Sequence, residues 1–304
     1  MEAGAVRPVG PAEPGWQPWT PPVPERSPSR ALVLAGGGAT GIAWEAGVVD
    51  GLREAGVDVT DVDTMIGTSA GSVVAAYLRS GTLDEEAFTR IADASPLTDL
   101  GRLGPGDATR FLRSALAADR AAGRAVVGRG ALRARTAAEE DWIVVVAGNL
   151  VGHEWPEEPL WITAVDAETG TAVVLRRESG VPIDRAVAAS CAVPGVFPPV
   201  TIAGRRYVDG GVRSVANADL AEGHDRVLVL APIPLAFRGL DRPGPQVRRL
   251  RRRGTRALLL LPDAPAVRAL GTNPLDRRRS AAALEAGRAQ GRRAADRVRR
   301  LWTG

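Results

Sequence analysis

Ser69 lies in the run Gly67-Thr68-Ser69-Ala70-Gly71, between a predicted strand over 62–66 and a predicted helix over 72–80. On such a turn a serine has a strained backbone and an exposed hydroxyl, and glycines at Gly67 and Gly71 remove side chains that would collide with the strand and the helix. The helix start aims backbone N–H groups and a positive dipole end at any negative charge forming beside the serine. The chemistry allowed is nucleophilic attack with oxyanion stabilisation. A tight turn with a helix-capping serine is the plainer alternative, and the flanking strand and helix weigh against it.

Gly36-Gly37-Gly38-Ala39-Thr40-Gly41 also follows a predicted strand, over 31–35, and precedes a predicted helix over 42–55 that stops at Gly56. Backbone N–H groups in such a loop can bind an anion, whether a phosphate or the oxyanion of a tetrahedral intermediate. The letters also satisfy Gly-x-Gly-x-x-Gly, and Asp61 lies about 20 residues further on, as a dinucleotide site requires. Taken alone, the loop favours a nucleotide. No lysine follows it, which excludes a phosphate-cradling nucleotidase loop.

Asp209-Gly210-Gly211 ends a predicted strand over 206–208, after the apolar, proline-bearing segment from Ser190 to Pro198. An aspartate there can serve as an acid or base, or only as a turn former. The order Ser69, Asp209, His224 is that of a three-residue hydrolase triad. But His224 precedes a strand over 227–230, whereas sites in open α/β sheets lie at the carboxyl ends of strands. His224 and His153 are therefore read as surface histidines, and Cys191 as a small buried hydrophobe.

The elements that must position these residues alternate, strand, glycine turn, helix, and then the same again. That pattern implies a parallel sheet covered on both faces. Thr82 and Glu85 form a predicted capping box for a further helix. Residues 99–141 are alanine- and arginine-rich and read as helices broken by glycines. Segments 160–165 and 172–176 suggest a hairpin, 200–202 and 206–208 a second pair, and 227–230 and 257–261 buried strands separated by an arginine- and proline-rich loop. A basic helix over 277–302 closes the chain.

Residues 1–29 carry eight prolines and little apolar periodicity, so this segment is expected to be a disordered tail. Residues 30–304 are expected to form one domain, with the motifs in 31–220 and the last strands and basic helix in 221–304. At 304 residues and 45% hydrophobic content the chain can bury one large core. It has no uncharged apolar run long enough to span a membrane, and its N-terminus lacks the pattern of a secretory signal. One cysteine excludes an internal disulfide, and two histidines with one thiol are too few for the usual structural zinc sites. A cytoplasmic protein without metal or cofactor is expected. Arginine supplies all 39 basic side chains for a net charge of +4, which does not by itself indicate nucleic acid. The arginines cluster at 248–256 and 277–300, either as a solvated face or as a peripheral contact with an anionic membrane.

With these motifs in this order, the sequence resembles the patatin-like phospholipase family over roughly 31–220. The carriers are GGGATG from Gly36, GTSAG around Ser69 and DGG from Asp209, with SCAVPGVFPP from Ser190 similar to the segment preceding the family's aspartate. The resemblance implies an α/β fold, a three-layer α/β/α sandwich with a mainly parallel central sheet. It also implies a lipid acyl hydrolase without cofactor. Ser69 would be the nucleophile and Asp209 the proton acceptor, with backbone N–H groups of Gly37, Gly38 and Ala70 as the oxyanion hole. Gly36, Gly41, Gly67, Gly71, Gly210 and Gly211 would shape the loops. Thr40 stands where family loops often carry arginine or lysine. Two rivals are a non-catalytic membrane-binding protein on the same fold and a dinucleotide-binding oxidoreductase using Gly36 to Gly41.

Overall fold

The computed structural model describes residues 6–8, 28–81, 119–150, 152–233 and 242–303. The expected capping box at Thr82 and Glu85, residues 99–118 and most of the proline-rich segment lie outside them. Within that segment Val6–Pro8 (β1) departs from the expected disorder and runs parallel to Ala172–Val174. As the outermost strand of the sheet it can accommodate Pro8, which has no N–H to donate.

The first half of the site-bearing chain forms β2 (Arg30–Leu34), α1 (Gly38–Glu54), β3 (Thr64–Gly67) and α2 (Ala70–Arg79). Then come α3 (Arg120–Ala131), α4 (Glu139–Ala147), β4 (Leu160–Asp166), β5 (Ala172–Leu175) and α5 (Ile183–Ser190). A short antiparallel pair, β6 (Val200–Ile202) and β7 (Arg205–Asp209), precedes β8 (Arg226–Leu230). The chain closes with α6 (Pro243–Arg252), β9 (Arg256–Leu260), α7 (Ala264–Leu270) and α8 (Ser280–Thr303).

The strands form one sheet in the order β1-β5-β4-β3-β2-β8-β9, and neighbours from β4 through β9 run parallel. The expected hairpin is present as antiparallel β4 and β5. Alternate side chains along the central strands enter different cores, as the period of a strand requires. Leu32, Leu34, Met65, Leu228 and Leu230 pack with Trp44, Val48, Leu52, Val74 and Leu284. Ala31, Val33, Ile66, Val227 and Val229 pack with Leu220, Val247 and Leu250 on the other face. The result is the expected three-layer α/β/α arrangement with a mostly parallel central sheet.

Four helices depart from the sequence reading. The stretch between β8 and β9, expected to be a loop, contains α6, because Pro243 suits a first helical turn and arginine is a good helix former. α5 and α7 were not expected, although Ile183, Ala186, Val187 and Ser190 have helical spacing and are all buried. α1 begins at Gly38, so most of the anticipated glycine loop lies in its first turn.

The C-terminal helix is part of the core. Gly47 and Gly51 of α1 face Gly287 and Gly291 of α8 so closely that a Cβ at Gly51 would lie 2.0 Å from Arg288 O, and one at Gly291 2.3 Å from Val48 O. Glycine is required here by the approach of two backbones. Trp44 Nε1 donates to Gln290 Oε1 across the same contact at 3.0 Å.

Candidate active site

The antiparallel pairing of β7 with β4 brings the two motif-bearing strand ends together. On one edge of β4, Ile162 pairs with Gly67 of β3, and two residues later Ala164 pairs with Asp209 of β7. β3 runs parallel to β4 and β7 antiparallel, so their carboxyl ends meet head to head. The turn after Gly67 carries Ser69, and β7 terminates at Asp209.

Ser69 adopts φ 52° and ψ −121°, a backbone that side chains rarely take and the strain expected of a serine on a sharp strand-to-helix turn. The neighbouring glycines allow it. A Cβ at Gly71 would lie 2.1 Å from Leu34 O, and one at Gly67 2.5 Å from Ser72 Cα. Main-chain bonds brace the turn on β2: Thr68 N–H donates to Leu34 O at 3.0 Å and Gly71 N–H to Ala35 O at 3.1 Å. The Ser69 N–H donates to Ser190 Oγ at 2.9 Å.

Asp209 is 5% exposed, and its N–H donates to Ala192 O at 3.0 Å. Burial raises its pKa to about 6, opposed by side-chain hydrogen bonding with Ser69 and by the Gly211 N–H, 2.6 Å from Oδ1. Gly210 is held against β4: a Cβ there would lie 2.1 Å from Thr163 Oγ1.

Gly36 lies against the serine, a Cβ on it falling 3.5 Å from Ser69 Cβ. Gly37 N–H and Gly38 N–H have no backbone acceptor among the described residues, whereas the Thr40 N–H donates to Pro274 O at 3.1 Å. Ala70, the first residue of α2, likewise presents an N–H that the helix cannot satisfy. Gly38 has φ +61° and sits under Pro274, whose carbonyl would be 2.6 Å from a Cβ. Gly41 packs on Pro232. Neither proline was singled out in the sequence, since contacts made from about 190 and 230 residues away leave no local signal.

Both histidines lie elsewhere. His224 Nε2 is 3.0 Å from Thr64 Oγ1 and Nδ1 3.2 Å from Ala221 O. Thr64 begins β3, so this ring is at the opposite end of the strand from Ser69. It is half-buried rather than on the surface as expected, and burial lowers its pKa. His153 is exposed. Cys191 sits beside the site, Sγ 3.7 Å from Ser72 Oγ, with its thiol pushed up to about 12 by burial and by the charge of Asp209. Asp61, which the dinucleotide reading needs, precedes β3 and reaches Arg30 at 3.7 Å. It therefore stands at the amino edge of the sheet, away from the glycine turn at the carboxyl edge.

Among the described residues, no three or more His, Cys, Asp or Glu side chains are grouped to hold a metal ion, and no helix is long and apolar enough to cross a membrane. Two site residues were missed in the sequence, Thr163 and Asn217. Thr163 could have been noticed as a polar residue inside an otherwise apolar strand.

The fold and the motif-bearing turns occur together in one known protein family. The patatin-like phospholipase model matches residues 32–222, and the chain belongs to that family. An uncharacterized NTE family protein of Mycobacterium tuberculosis is 33% identical over 186 residues, covering 61% of this chain and 43% of that protein. A second from the same organism is 32% identical over 184 residues, 60% of this chain and 26% of that protein. The chain thus matches less than half the length of these relatives. Among solved structures, VipD from Legionella pneumophila overlaps 89% of this chain and 67% of its own, with 14% identity and a TM-score of 0.48. The type III effector ExoU overlaps 89% of this chain and 54% of its own, with 20% identity and a TM-score of 0.41.

Proposed function

We propose that this chain is a serine lipid acyl hydrolase that cleaves carboxylic ester bonds through an acyl-Ser69 intermediate, with Asp209 as the base. Ser69 Oγ attacks the acyl carbonyl carbon and its proton passes to the Asp209 carboxylate. The carbonyl oxygen becomes an oxyanion facing the N–H groups of Gly37, Gly38 and Ala70. Collapse breaks the ester bond, and the departing alcohol takes the proton from Asp209. Water then attacks the acyl-enzyme and gives its proton to Asp209; as the Ser69–acyl bond breaks, Ser69 Oγ takes that proton back from Asp209 and the free acid leaves.

The observation that carries this reading is the meeting of two strand ends beside β4, which sets the strained Ser69 turn next to a buried Asp209 whose pKa burial raises to about 6. A carboxylate with an ordinary pKa is a poor base for a serine hydroxyl, and burial brings it toward the working range. Labelling by a fluorophosphonate probe, located by mass spectrometry, tests the assignment. A single adduct on Ser69, absent in Ser69→Ala, is expected together with hydrolysis of a short-chain ester. A labelled protein with its adduct elsewhere would refute it.

A further inference from the structure

The residues next to Ser69 and Asp209 share one buried polar cluster. Thr68 precedes Ser69 and Gly210 follows Asp209. Thr163 stands on β4 between Ile162 and Ala164, the partners of Gly67 and Asp209. Thr68 Oγ1 and Thr163 Oγ1 are 2.9 Å apart. Asn217 Nδ2 lies 3.0 Å from Thr68 Oγ1, 3.2 Å from Thr163 Oγ1, 3.3 Å from Gly210 O and 2.7 Å from Ser214 O. Thr68, Thr163 and Asn217 are all buried.

Asn217 is held from behind. Its backbone is left-handed, φ 49°, a conformation that asparagine tolerates better than most residues. Its N–H donates to Ser214 Oγ at 3.1 Å, and its Oδ1 accepts from Arg213 at 2.6 Å. Arg213 is ion-paired with Asp219, which Gln246 Nε2 also reaches at 3.1 Å. One amide group so anchored donates towards the residue before the serine and towards the residue after the aspartate.

Fold stability alone does not call for such a cluster. A strand position such as Thr163 could carry valine of the same shape, and replacing a buried polar pair by apolar groups is often nearly neutral. What the hydroxyl supplies is direction, because hydrogen bonds in a buried network hold distance and angle where apolar contacts slide. Its place is kept by Gly210, whose missing Cβ leaves the space that Thr163 Oγ1 occupies.

We infer that Thr163 and Asn217 are positioning residues, which through Thr68 and Gly210 set the separation and orientation of Ser69 and Asp209. The inference rests on the assignment of those two as nucleophile and base. Misplacement by about 1 Å can cost about a hundredfold in rate.

The test uses Thr163→Val, Thr163→Ser and Ser69→Ala in the full chain, assayed on one short-chain ester across pH with thermal melting in parallel. Thr163→Val is expected to lower kcat by about 10- to 100-fold with KM within about twofold. Its acid limb should move to higher pH, because Asp209 loses the Ser69 hydrogen bond that holds its pKa down. Thr163→Ser, which restores the hydroxyl, should recover kcat to within about threefold of the parent. If Thr163→Val does not fold, Asn217→Gly carries the same expectations, since glycine accepts the left-handed backbone and removes the amide. A folded Thr163→Val with parental kcat and an unmoved acid limb overturns the inference, as does a Thr163→Ser enzyme no faster than Thr163→Val. An active Ser69→Ala enzyme overturns the underlying assignment, whereas an inactive one beside a parental Thr163→Val overturns the positioning role alone.

Discussion

The backbone N–H of Ser69 donates to the hydroxyl of Ser190 at 2.9 Å, within a region where Ser190 is completely buried. The bond joins the strained serine turn to the segment whose Ala192 carbonyl accepts from Asp209 N–H. It also takes up the Ser69 N–H, which leaves the N–H groups of Gly37, Gly38 and Ala70 for the proposed oxyanion site. Ser190→Ala should strand a buried donor and cost about 1–3 kcal/mol of stability. Urea denaturation is the measurement, and a loss below about 0.5 kcal/mol would mean that the turn stands without this brace.

Asp209 and His224 separate a dyad from a triad. His224 reaches Thr64 at the amino end of β3, the full length of that strand from Ser69. Asp209→Asn should therefore abolish ester hydrolysis, while His224→Ala should stay within about threefold of the parent. In a triad the histidine is the general base, and its loss costs several orders of magnitude. Steady-state kinetics on purified, folded variants decide between them.

The raised pKa of Asp209, about 6, has consequences for both rate and stability. In the proposed role of base it must be ionised, so kcat/KM should fall on the acid side with a midpoint near 6. For stability the sign is opposite to that of a salt-bridged carboxylate. Between the unfolded value near 3.8 and about 6 the folded state alone keeps the proton, and above 6 the folded state carries the whole cost of a buried charge. Asp209→Asn should be more stable than the parent at pH 8, by a margin that shrinks as pH falls towards 4. Melting temperatures of both proteins over that range check this, and a constant or reversed margin would contradict it.

The arginines of α8 are not equivalent. Arg288 Nε lies 2.7 Å from Asp50 Oδ2, and Asp50 is buried; Arg292 reaches Glu54 and Arg293 reaches Asp263, each at 2.6 Å. Arg288→Ala should destabilise the fold by about 1.5–3 kcal/mol, since it strips a charged partner from a buried carboxylate. Arg297→Ala, at an exposed position, should change stability by no more than about 0.5 kcal/mol. Removing α8 altogether would expose the α1 contact, so a membrane role for its basic face must be tested by charge reversal at Arg297 and Arg300. Vesicle sedimentation at low salt, on neutral and anionic lipid, is the assay.

The alternation of apolar strands, glycine turns and helices in the sequence is sufficient to specify a parallel three-layer fold, because strand and helix periodicities are local properties. The same holds for Ser69 and its glycines, whose steric demands arise between residues close in the chain. Asp209-Gly210-Gly211 was legible from its own residues only as a strand end and turn, and its pairing with Ser69 came from the resemblance to the patatin-like family rather than from local pattern. That proximity depends on the antiparallel docking of β7 onto the edge of β4 that β3 vacates, which no local pattern encodes. Tertiary contacts likewise decided that Pro232 and Pro274 cover the glycine turn, that Thr163 and Asn217 bridge the two strand ends, and that α8 belongs to the core. Each joins segments tens to hundreds of residues apart, and their common cause is the packing of buried backbone and polar groups that must find partners wherever the folded chain brings them.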